Sequence, residues 1–492
     1  MKNIIIIGAG IAGLSAGIYA RKSGFDVTIY ESHTIPGGNC TSWRRGGYLF
    51  EGGMHWLTGS SPKTNLNKIW RETGALSESS RISNHDPFIV VDYNGESAAL
   101  YRDAEQSKNY LLRLAPEDSK AIMRLYKDIC SFTSIQMPIF DIPGLKIKNK
   151  FPPVWKMLVK LLPVMRRLMF LRNISVADYV AQFKNPLIQS LLTSVIPSDM
   201  NASSLVVTLG SFTSGDGGYV EGGSLAMADN MAKLFLNLGG IIQYGKKIDR
   251  VAAKDNKAEG VFIDGNLIPA DAVIVAADTL SAIDTLFEKP LSDEWALDMR
   301  KSTELIACTF ICLGVEEDLS HLPELLFFPL KRPFDFAWNV IAELSFHHYA
   351  SYKNYASEGC TSVTLGLQGD TYEYWKSLRE QGRYEQGKEE LFALIKDRLE
   401  EHYPIFKDKI KVWDIATPLT YERYCGTYRG SFMTKTLPGD KQKLYPSKSK
   451  SFTNVYFAGQ RLMPPGGMPC AVVTGRYAAQ HVCKDFDMEF IS

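Results

Sequence analysis

The pattern of apolar positions at the start of the chain predicts a β-strand, an α-helix and a second β-strand. Four consecutive isoleucines, Ile4–Ile7, show no polar alternation, which is typical of a central parallel strand covered on both faces. The stretch LSAGIYARKSG then has the character of a helix that ends at Gly24, and DVTIY follows as the second strand. The segment therefore predicts the first part of an α/β domain.

Three glycines occupy the turn between the first strand and the helix, in the pattern G-x-G-x-x-G. Gly8 allows a tight turn, Gly10 lets the backbone approach a pyrophosphate, and Gly13 lets the helix pack close to the sheet. The first turn of the helix, with Ile11 and Ala12, directs backbone N–H groups at the phosphates. The turn is therefore predicted to bind a dinucleotide.

An acidic residue stands where such a cofactor needs one. Glu31 ends the second strand, 23 residues after Gly8 and next to Ser32, and a carboxylate there can accept both hydroxyls of an adenosine ribose. A unit of this shape without a ligand is the alternative, but strand, glycines, helix, strand and acid all occur in register. NAD and FAD share the ADP half, so both remain open at this point.

The loop after Glu31 favours FAD. Gly37, Gly38 and Asn39 lie in a glycine-rich, basic loop where a dehydrogenase would continue with further βα repeats. Such a loop suits a cofactor with a long extended second half. Arg44 or Arg45 could reach the pyrophosphate, and the alternative is that both arginines belong to a solvated loop.

The carboxyl-terminal region predicts a second cofactor-binding element. Residues 454–483 contain the short strand NVYFAG, the turn PPGGMP and the helix AVVTGRYAAQHV. This arrangement can bring a second helix N-terminus beside the cofactor, at the ribityl and pyrimidine end of a flavin. The residues predicted to contact it are Gly459, Gln460, Gly467 and Met468.

These segments resemble the phytoene desaturase, carotenoid isomerase and retinol saturase family, within the flavin-dependent amine-oxidase-like group. Besides the two termini, the resemblance lies in GYLFEGGMHWLTG (47–59), in the stretch from YVEGGSLAMADN to VIVAAD (219–278) and in ATPLTYERYCGTYRG (416–430). It implies an FAD-dependent oxidoreductase that acts on carbon–carbon bonds of a long apolar, carotenoid- or retinoid-like substrate. Desaturation, saturation and isomerisation remain alternatives.

The resemblance also implies further cofactor-binding residues. Gly53, Met54 and His55 fall in the element that lies under the flavin ring, and Ile248 falls at the position that touches the adenine. Two positions depart from the family. Asn39 stands where the family often has arginine, and Gln460 stands where it often has an aspartate that holds the ribityl chain.

The implied fold class is α/β, with a Rossmann-like FAD-binding domain and a mixed α+β substrate domain. The FAD-binding domain is expected to be discontinuous, comprising residues 1–95, 215–280 and 450–492. Residues 96–214 and 281–449 would form the substrate domain. No second glycine fingerprint follows a strand, so a dedicated NAD(P) domain is not expected.

The composition of the chain limits the possible binding partners of the protein and the cellular compartment in which it works. Lys and Arg (55) nearly balance Asp and Glu (54), which argues against a nucleic-acid partner. Eight scattered cysteines suit a reducing, cytoplasmic compartment. The close pair Cys308 and Cys312 lies in an apolar strand-like run, which indicates core packing rather than a metal site.

A basic apolar stretch, residues 146–172, suggests contact with a membrane. It has eight Lys or Arg and no acidic residue. On a helical projection Lys156, Lys160 and Arg167 share one side, apolar residues including Met157 and Leu158 cover much of the rest, and Pro163 is expected to break or kink the helix. This pattern is typical of an element that lies on the inner face of a bilayer, and the alternative is a pair of ordinary helices in the substrate domain.

His55 is the predicted catalytic residue. It could donate a hydrogen bond to a flavin carbonyl or protonate a substrate carbon, and the alternative is a packing role. His347 and His348 are interpreted as a surface or strand-end feature, and no metal is expected. An amine oxidase, whose aromatic cage could come only from Tyr421 and Tyr424, and a non-catalytic flavoprotein are the competing interpretations.

Overall fold

The computed structural model describes residues 1–93, 95–152, 155, 159, 161–441 and 443–492. A parallel sheet lies beneath the predicted cofactor site. In spatial order its strands are β21 (Val455–Phe457), β13 (Ala272–Val275), β1 (Asn3–Ile7), β2 (Asp26–Tyr30) and β9 (Ile241–Gln243). Each of the three segments predicted for the FAD-binding domain thus contributes at least one strand to this sheet.

The unbroken run of isoleucines in β1 is explained by burial on both faces. Ile4 and Ile6 belong to one apolar cluster, whereas Ile5 and Ile7 belong to another on the opposite face. The first face is covered by three helices: α1 (Ile11–Lys22), α9 (Gly223–Asn237) and α15 (Gly467–Asp485). The second face is covered by a three-stranded sheet and two helices: β10 (Arg250–Lys254), β11 (Lys257–Ile263), β12 (Asn266–Pro269), α10 (Thr279–Thr285) and α11 (Glu294–Ser302).

A larger mixed sheet forms the frame of the substrate side. In spatial order its strands are β19 (Ile410–Ala416), β15 (Cys308–Val315), β18 (Thr361–Gln368), β17 (Asn339–His348), β16 (Leu325–Phe336), β6 (Ile89–Tyr93) and β7 (Glu96–Leu100). Neighbouring strands are antiparallel except β16 and β6. The sheet therefore belongs to the α+β part of the predicted fold.

Helices and short strand pairs complete the fold. The remaining helices are α2 (Asn65–Glu72), α3 (Ala104–Leu114), α4 (Ser119–Phe132), α5 (Met165–Arg172), α6 (Val176–Val180), α7 (Pro186–Thr193), α8 (Ala202–Thr213), α12 (Tyr372–Glu380), α13 (Tyr384–His402) and α14 (Pro418–Cys425). The short antiparallel pairs are β3 (Ser42–Arg45) with β4 (Tyr48–Glu51), β5 (Ile82–Ser83) with β8 (Tyr219–Val220), and β14 (Leu305–Ile306) with β20 (Met433–Thr434).

The two ends of the chain meet through α1 and α15. Gly475 lies so close to α1 that a Cβ added there would stand 2.3 Å from the carbonyl oxygen of Ala12. Beside this contact the Ser15 hydroxyl donates to the carbonyl of Val472 at 2.7 Å. Only a residue without a side chain permits this approach, so Gly475 sets the distance between the amino-terminal and carboxyl-terminal helices.

The basic apolar stretch is only partly described. Lys156, Met157, Leu158 and Lys160 lie outside the described residues. Pro163 lies in a short 3₁₀ turn, Leu162–Val164, and helix α5 begins directly after it at Met165. Among the described residues no helix is long and apolar enough to cross a bilayer.

The structure corrects the prediction that Arg167 belongs to the basic side of a membrane-facing helix. It does not join a free basic face, because its guanidinium donates to both carboxylate oxygens of Asp128, at 2.8 and 2.6 Å. Asp128 lies on α4 and also accepts the hydroxyl of Tyr179. Arg167 therefore fastens α5 to the substrate domain, and a helical projection cannot show this because the partner comes from another helix.

Candidate functional site

A cavity of about 1900 Å³ lies between the parallel sheet and the substrate domain. Sites for a single small ligand usually measure about 300–1,000 Å³, so this cavity has room for a large cofactor and a second molecule. Of the predicted site residues, all but three line it. Those that do are Gly8, Gly10, Ile11, Ala12, Glu31, Ser32, Gly37, Gly38, Asn39, Gly53, Met54, His55, Ile248, Gly459, Gln460, Gly467 and Met468.

Gly13 lies behind the cavity wall and shapes it indirectly. A Cβ added to Gly13 would stand 1.9 Å from the carbonyl oxygen of Gly8, so the turn cannot close around any side chain. Helix α1 begins at Ile11 without a side-chain cap on its first N–H groups. These uncapped groups form a site where a pyrophosphate could bind.

Glu31 is held in place at the edge of this turn. Its carboxylate accepts N–H bonds from Ala9 at 2.7 Å and from His33 at 2.8 Å, and it accepts the Ser32 hydroxyl at 3.3 Å. Only 8% of the residue is exposed, and it lines the cavity. A fixed carboxylate beside uncapped helix N–H groups fits the ribose and pyrophosphate of an ADP moiety.

The second helix N-terminus lies in the same cavity. Helix α15 begins at Gly467, whose N–H donates to the side-chain oxygen of Gln460 at 2.8 Å. Gln460 therefore uses its oxygen to fix the start of the helix, which leaves its amide N–H₂ group as the donor for a ligand. A neutral glutamine here performs a positioning task that the sequence did not indicate.

The chain also contains a buried ion pair that sequence reasoning missed. Arg461 is 2% exposed, and its Nε donates to Asp278 at 2.7 Å while Nη2 donates to the Ser431 hydroxyl at 2.6 Å. The other Asp278 oxygen accepts from the first N–H groups of α10. This pair joins the ends of β13 and β21, where the Gln460 turn begins. The sequence signal was a charged residue a few positions after each of two apolar strands.

The structure corrects the prediction that Arg44 or Arg45 could reach the pyrophosphate, because neither residue lines the cavity. Arg44 donates to the carbonyl of Asn354 at 2.9 Å, and Arg45 pairs with Asp414 at 3.2 Å. The tip of the β3–β4 hairpin packs on Val412 of β19, which turns both side chains toward acceptors on the outer surface. The helix N-termini, rather than these arginines, are left to bind the pyrophosphate.

Glu51 supports the loop that carries His55. Its buried carboxylate accepts the N–H groups of Gly53 at 2.8 Å, Met54 at 3.0 Å and Ser224 at 2.8 Å, and it accepts the Ser224 hydroxyl at 2.5 Å. Burial raises the pKa of Glu51 in spite of these four bonds. The carboxylate thus ties residues 53–54 to the start of α9 and has no free side toward the cavity.

His55 faces the cavity. Its ring lies 6.5 Å from that of His347, centroid to centroid, and 6.3 Å from that of Trp56. The side chain of His55 is exposed to the cavity. Protein nevertheless surrounds this part of the cavity. This enclosure, with a smaller contribution from His347, lowers the pKa of His55 to about 4. The imidazole is therefore neutral at pH 7, and it can donate one hydrogen bond but is a poor acid.

Two other sequence interpretations are changed by the structure. His347 and His348 end strand β17, as expected, but they are buried rather than on the surface. Tyr421 is buried beside the cavity and donates to the carbonyl of Gly52 at 3.1 Å, whereas Tyr424 is 47% exposed and packs on His33. The two tyrosines do not form a facing pair. Cys312 is buried in a strand, and Cys308 is partly buried on the same strand.

Comparisons with known proteins agree with the fold and with a flavin cofactor. The family model described as flavin containing amine oxidoreductase matches residues 11–483. A chloroplastic prolycopene isomerase from Daucus carota is 24% identical over 514 positions, covering 99% of this chain and 80% of that protein. A lycopene-forming phytoene desaturase from Pseudescherichia vulneris is 22% identical over 510 positions, covering 99% of this chain and all of that protein (100%).

The likeness extends to solved structures. An engineered putrescine oxidase superimposes with a TM-score of 0.64 at 16% identity, over 98% of this chain and 99% of that one. Fold and site together define an FAD-dependent oxidoreductase. The chain belongs to the flavin containing amine oxidoreductase family. The predictions of an α/β FAD-binding fold, of FAD as cofactor and of an FAD-dependent oxidoreductase are confirmed, as is the resemblance to proteins named as phytoene desaturase and prolycopene isomerase.

Proposed function

We propose that the protein acts on carbon–carbon double bonds of a long apolar polyene of the carotenoid or retinoid class. One observation carries the proposal: a single cavity joins the glycine-lined cofactor half to an apolar half. FAD, when bound, supplies hydride or electron transfer. The chain supplies position, a dry environment and hydrogen bonds.

The apolar half is built by the substrate domain. Its wall includes Ile135, Leu161, Leu168, Val207, Phe212 and Phe327, which come from several separate elements. A conjugated chain makes few hydrogen bonds, so burial of its carbons would provide most of its binding free energy, at about 25 cal/mol per Å² of apolar surface. The relatives named as acting on carotenoids support this substrate class, whereas an amine would need polar or aromatic partners that Tyr421 and Tyr424 do not form.

His55 stands beside the family's flavin-ring element and is the proposed catalytic residue. As a neutral imidazole it would orient the cofactor through a hydrogen bond rather than act as a strong acid. Glu51 holds the backbone of this loop and is a positioning residue. Direction, whether desaturation, saturation or isomerisation, is decided by the test that follows.

The test incubates FAD-loaded protein, without oxygen, with a polyene in detergent micelles. Bleaching of the flavin indicates desaturation. A changed cis–trans pattern without net bleaching indicates isomerisation, and reoxidation of pre-reduced flavin by the polyene indicates saturation. Bleaching by putrescine alone, or no reaction with any polyene, would refute the proposal. His55→Gln should slow the reaction by at least about 10-fold, because the loss of a hydrogen bond worth about 1.4 kcal/mol changes a rate tenfold, whereas the exposed His321→Gln should not.

We further propose a peripheral contact with the inner face of a membrane, through an apolar rim made of exposed side chains near the cavity. The rim comprises Trp155 (60% exposed), Val159 (54%), Leu162 (66%), Met169 (58%) and Phe170 (51%). Leu161 and Leu168 of the same segment line the cavity. An element with one side in the cavity and another exposed would let an oily substrate pass from lipid to the site. The cysteines, all free thiols, suit a cytoplasmic location.

Sedimentation with anionic liposomes tests this contact. Replacing Leu162 and Phe170 by Gln should reduce the bound fraction severalfold, because each change removes apolar surface from the rim. Val340→Gln is the matched control, since Val340 is 67% exposed and lies on strand β17 rather than in the rim segment. The proposal would be contradicted if the protein with Leu162 and Phe170 replaced bound liposomes as well as Val340→Gln does. It would also be contradicted if the unaltered protein did not bind. Arg167 is not a suitable target because its ion pair with Asp128 is structural.

A further inference from the structure

Three side chains from separate segments meet next to the cavity. His85 lies between β5 and β6, Glu324 directly precedes β16, and His347 lies near the end of β17. One nitrogen or oxygen atom of each lies within 4.8 Å of the corresponding atoms of the other two. We call these three residues the His–Glu–His cluster. His347 lies on strand β17 of the large sheet, and Glu324 is the residue before the neighbouring strand β16.

The two His–Glu distances in the cluster are close to the edge length of a metal coordination shell. Glu324 Oε2 lies 3.2 Å from His85 Nδ1, and Glu324 Oε1 lies 3.0 Å from His347 Nε2. The phenol oxygen of Tyr352 lies 2.7 Å from Glu324 Oε1 and 3.2 Å from His85 Nδ1. Metal–ligand bonds of about 2.0–2.1 Å at tetrahedral angles place neighbouring ligand atoms about 3.3 Å apart. The three ligand atoms lie within 4.8 Å of one another, so the side chains would close in on a shared ion.

The cluster is largely enclosed by protein. Glu324 is 9% exposed, and within the described residues its ion-pair partners are the imidazoles of His85 and His347. Imidazole nitrogens and a carboxylate are ligand groups that divalent transition metals bind.

We propose that the His–Glu–His cluster binds one divalent transition-metal ion, with Zn²⁺ as the probe. Two imidazoles and one carboxylate are a ligand set that zinc and similar ions prefer. His85 and His347 also line the cavity, so an open coordination position would face it. The ion would sit on the substrate side of His55 and could hold a water molecule or an oxygen substituent of a bound substrate.

Metal binding is measured on the full-length, FAD-loaded protein after treatment with a chelator. Zn²⁺ should bind at about one ion per chain in a calorimetric titration and raise the midpoint of thermal unfolding. Mg²⁺, which prefers all-oxygen sites, should do neither. No saturable Zn²⁺ binding would overturn the proposal and would assign the cluster to a hydrogen-bonded network.

Variants locate the site. Glu324→Gln and His347→Gln should weaken Zn²⁺ binding at least about 100-fold, because loss of a group that merely supports a ligand already costs about 10- to 100-fold. Glu343→Gln is the control, since Glu343 is a carboxylate on the same cavity wall that bonds to Ser190 instead. If Glu324→Gln or His347→Gln does not fold, His85→Gln is used instead, because His85 is the more exposed member of the cluster. Unchanged affinity in the cluster variants would overturn the site. Their flavin content reports folding, so the result is independent of catalysis.

Discussion

At the scale of single residues, the site depends on buried groups that do not line the cavity. Glu51 is the clearest example, because one carboxylate accepts four hydrogen bonds and thereby fixes the loop of His55 against α9. The sequence could not show this role, since the partner Ser224 lies 173 residues further along the chain.

Glu51→Gln should therefore destabilise the protein by about 2–4 kcal/mol, because an amide NH₂ group would face N–H donors that then lose their acceptor. Urea unfolding measures the change. Glu221→Gln is the control: its 3.9 Å pair with Arg81 is largely exposed on the arginine side and should be worth less than about 1 kcal/mol. Equal losses for the two variants would show that Glu51 has no special structural role.

The neutral state of His55 predicts a pH effect. Its folded pKa of about 4 lies below the ordinary value of 6.5, so the unfolded chain binds the extra proton more readily. The contribution of His55 is therefore fully present above pH 6.5 and is lost as the pH falls toward 4. His55→Gln should reduce the slope of the free energy of unfolding against pH across this window. The reduction should correspond to the uptake of up to about one proton. An unchanged slope in urea titrations at several pH values would contradict a depressed pKa.

At the scale of elements, the contact between α1 and α15 brings the two halves of the cofactor site together. Gly475→Ala should separate the helices and cost about 1–3 kcal/mol, because the added methyl meets backbone rather than a flexible side chain. The same variant should lose FAD on gel filtration.

Gly387→Ala provides the comparison. Gly387 lies inside α13, where a Cβ would meet mainly the flexible end of Leu378, and alanine favours a helix by about 1 kcal/mol. We expect this variant to be as stable as the original protein or more stable. Weaker FAD retention in Gly387→Ala than in Gly475→Ala would refute the assignment of the helix contact.

At the scale of the whole molecule, sites built from residues close together in the sequence were predictable, whereas sites built from residues far apart were not. Gly8, Gly10 and Glu31 lie within one short βαβ segment, so spacing alone indicated a dinucleotide site. Arg44 and Arg45 were misassigned because the docking of their hairpin on β19 decides where they point. The His–Glu–His cluster has members up to 262 positions apart, from His85 to His347, and leaves no local signal.

The whole fold implies that both chain ends enclose an FAD whose ring adjoins an apolar space. The absorbance spectrum of the purified protein tests this, with the cofactor released by denaturation and identified by mass. We predict a yellow protein with about one FAD per chain, and loss of that colour in Gly475→Ala. A protein that is colourless and remains so after incubation with free FAD would contradict the proposed site.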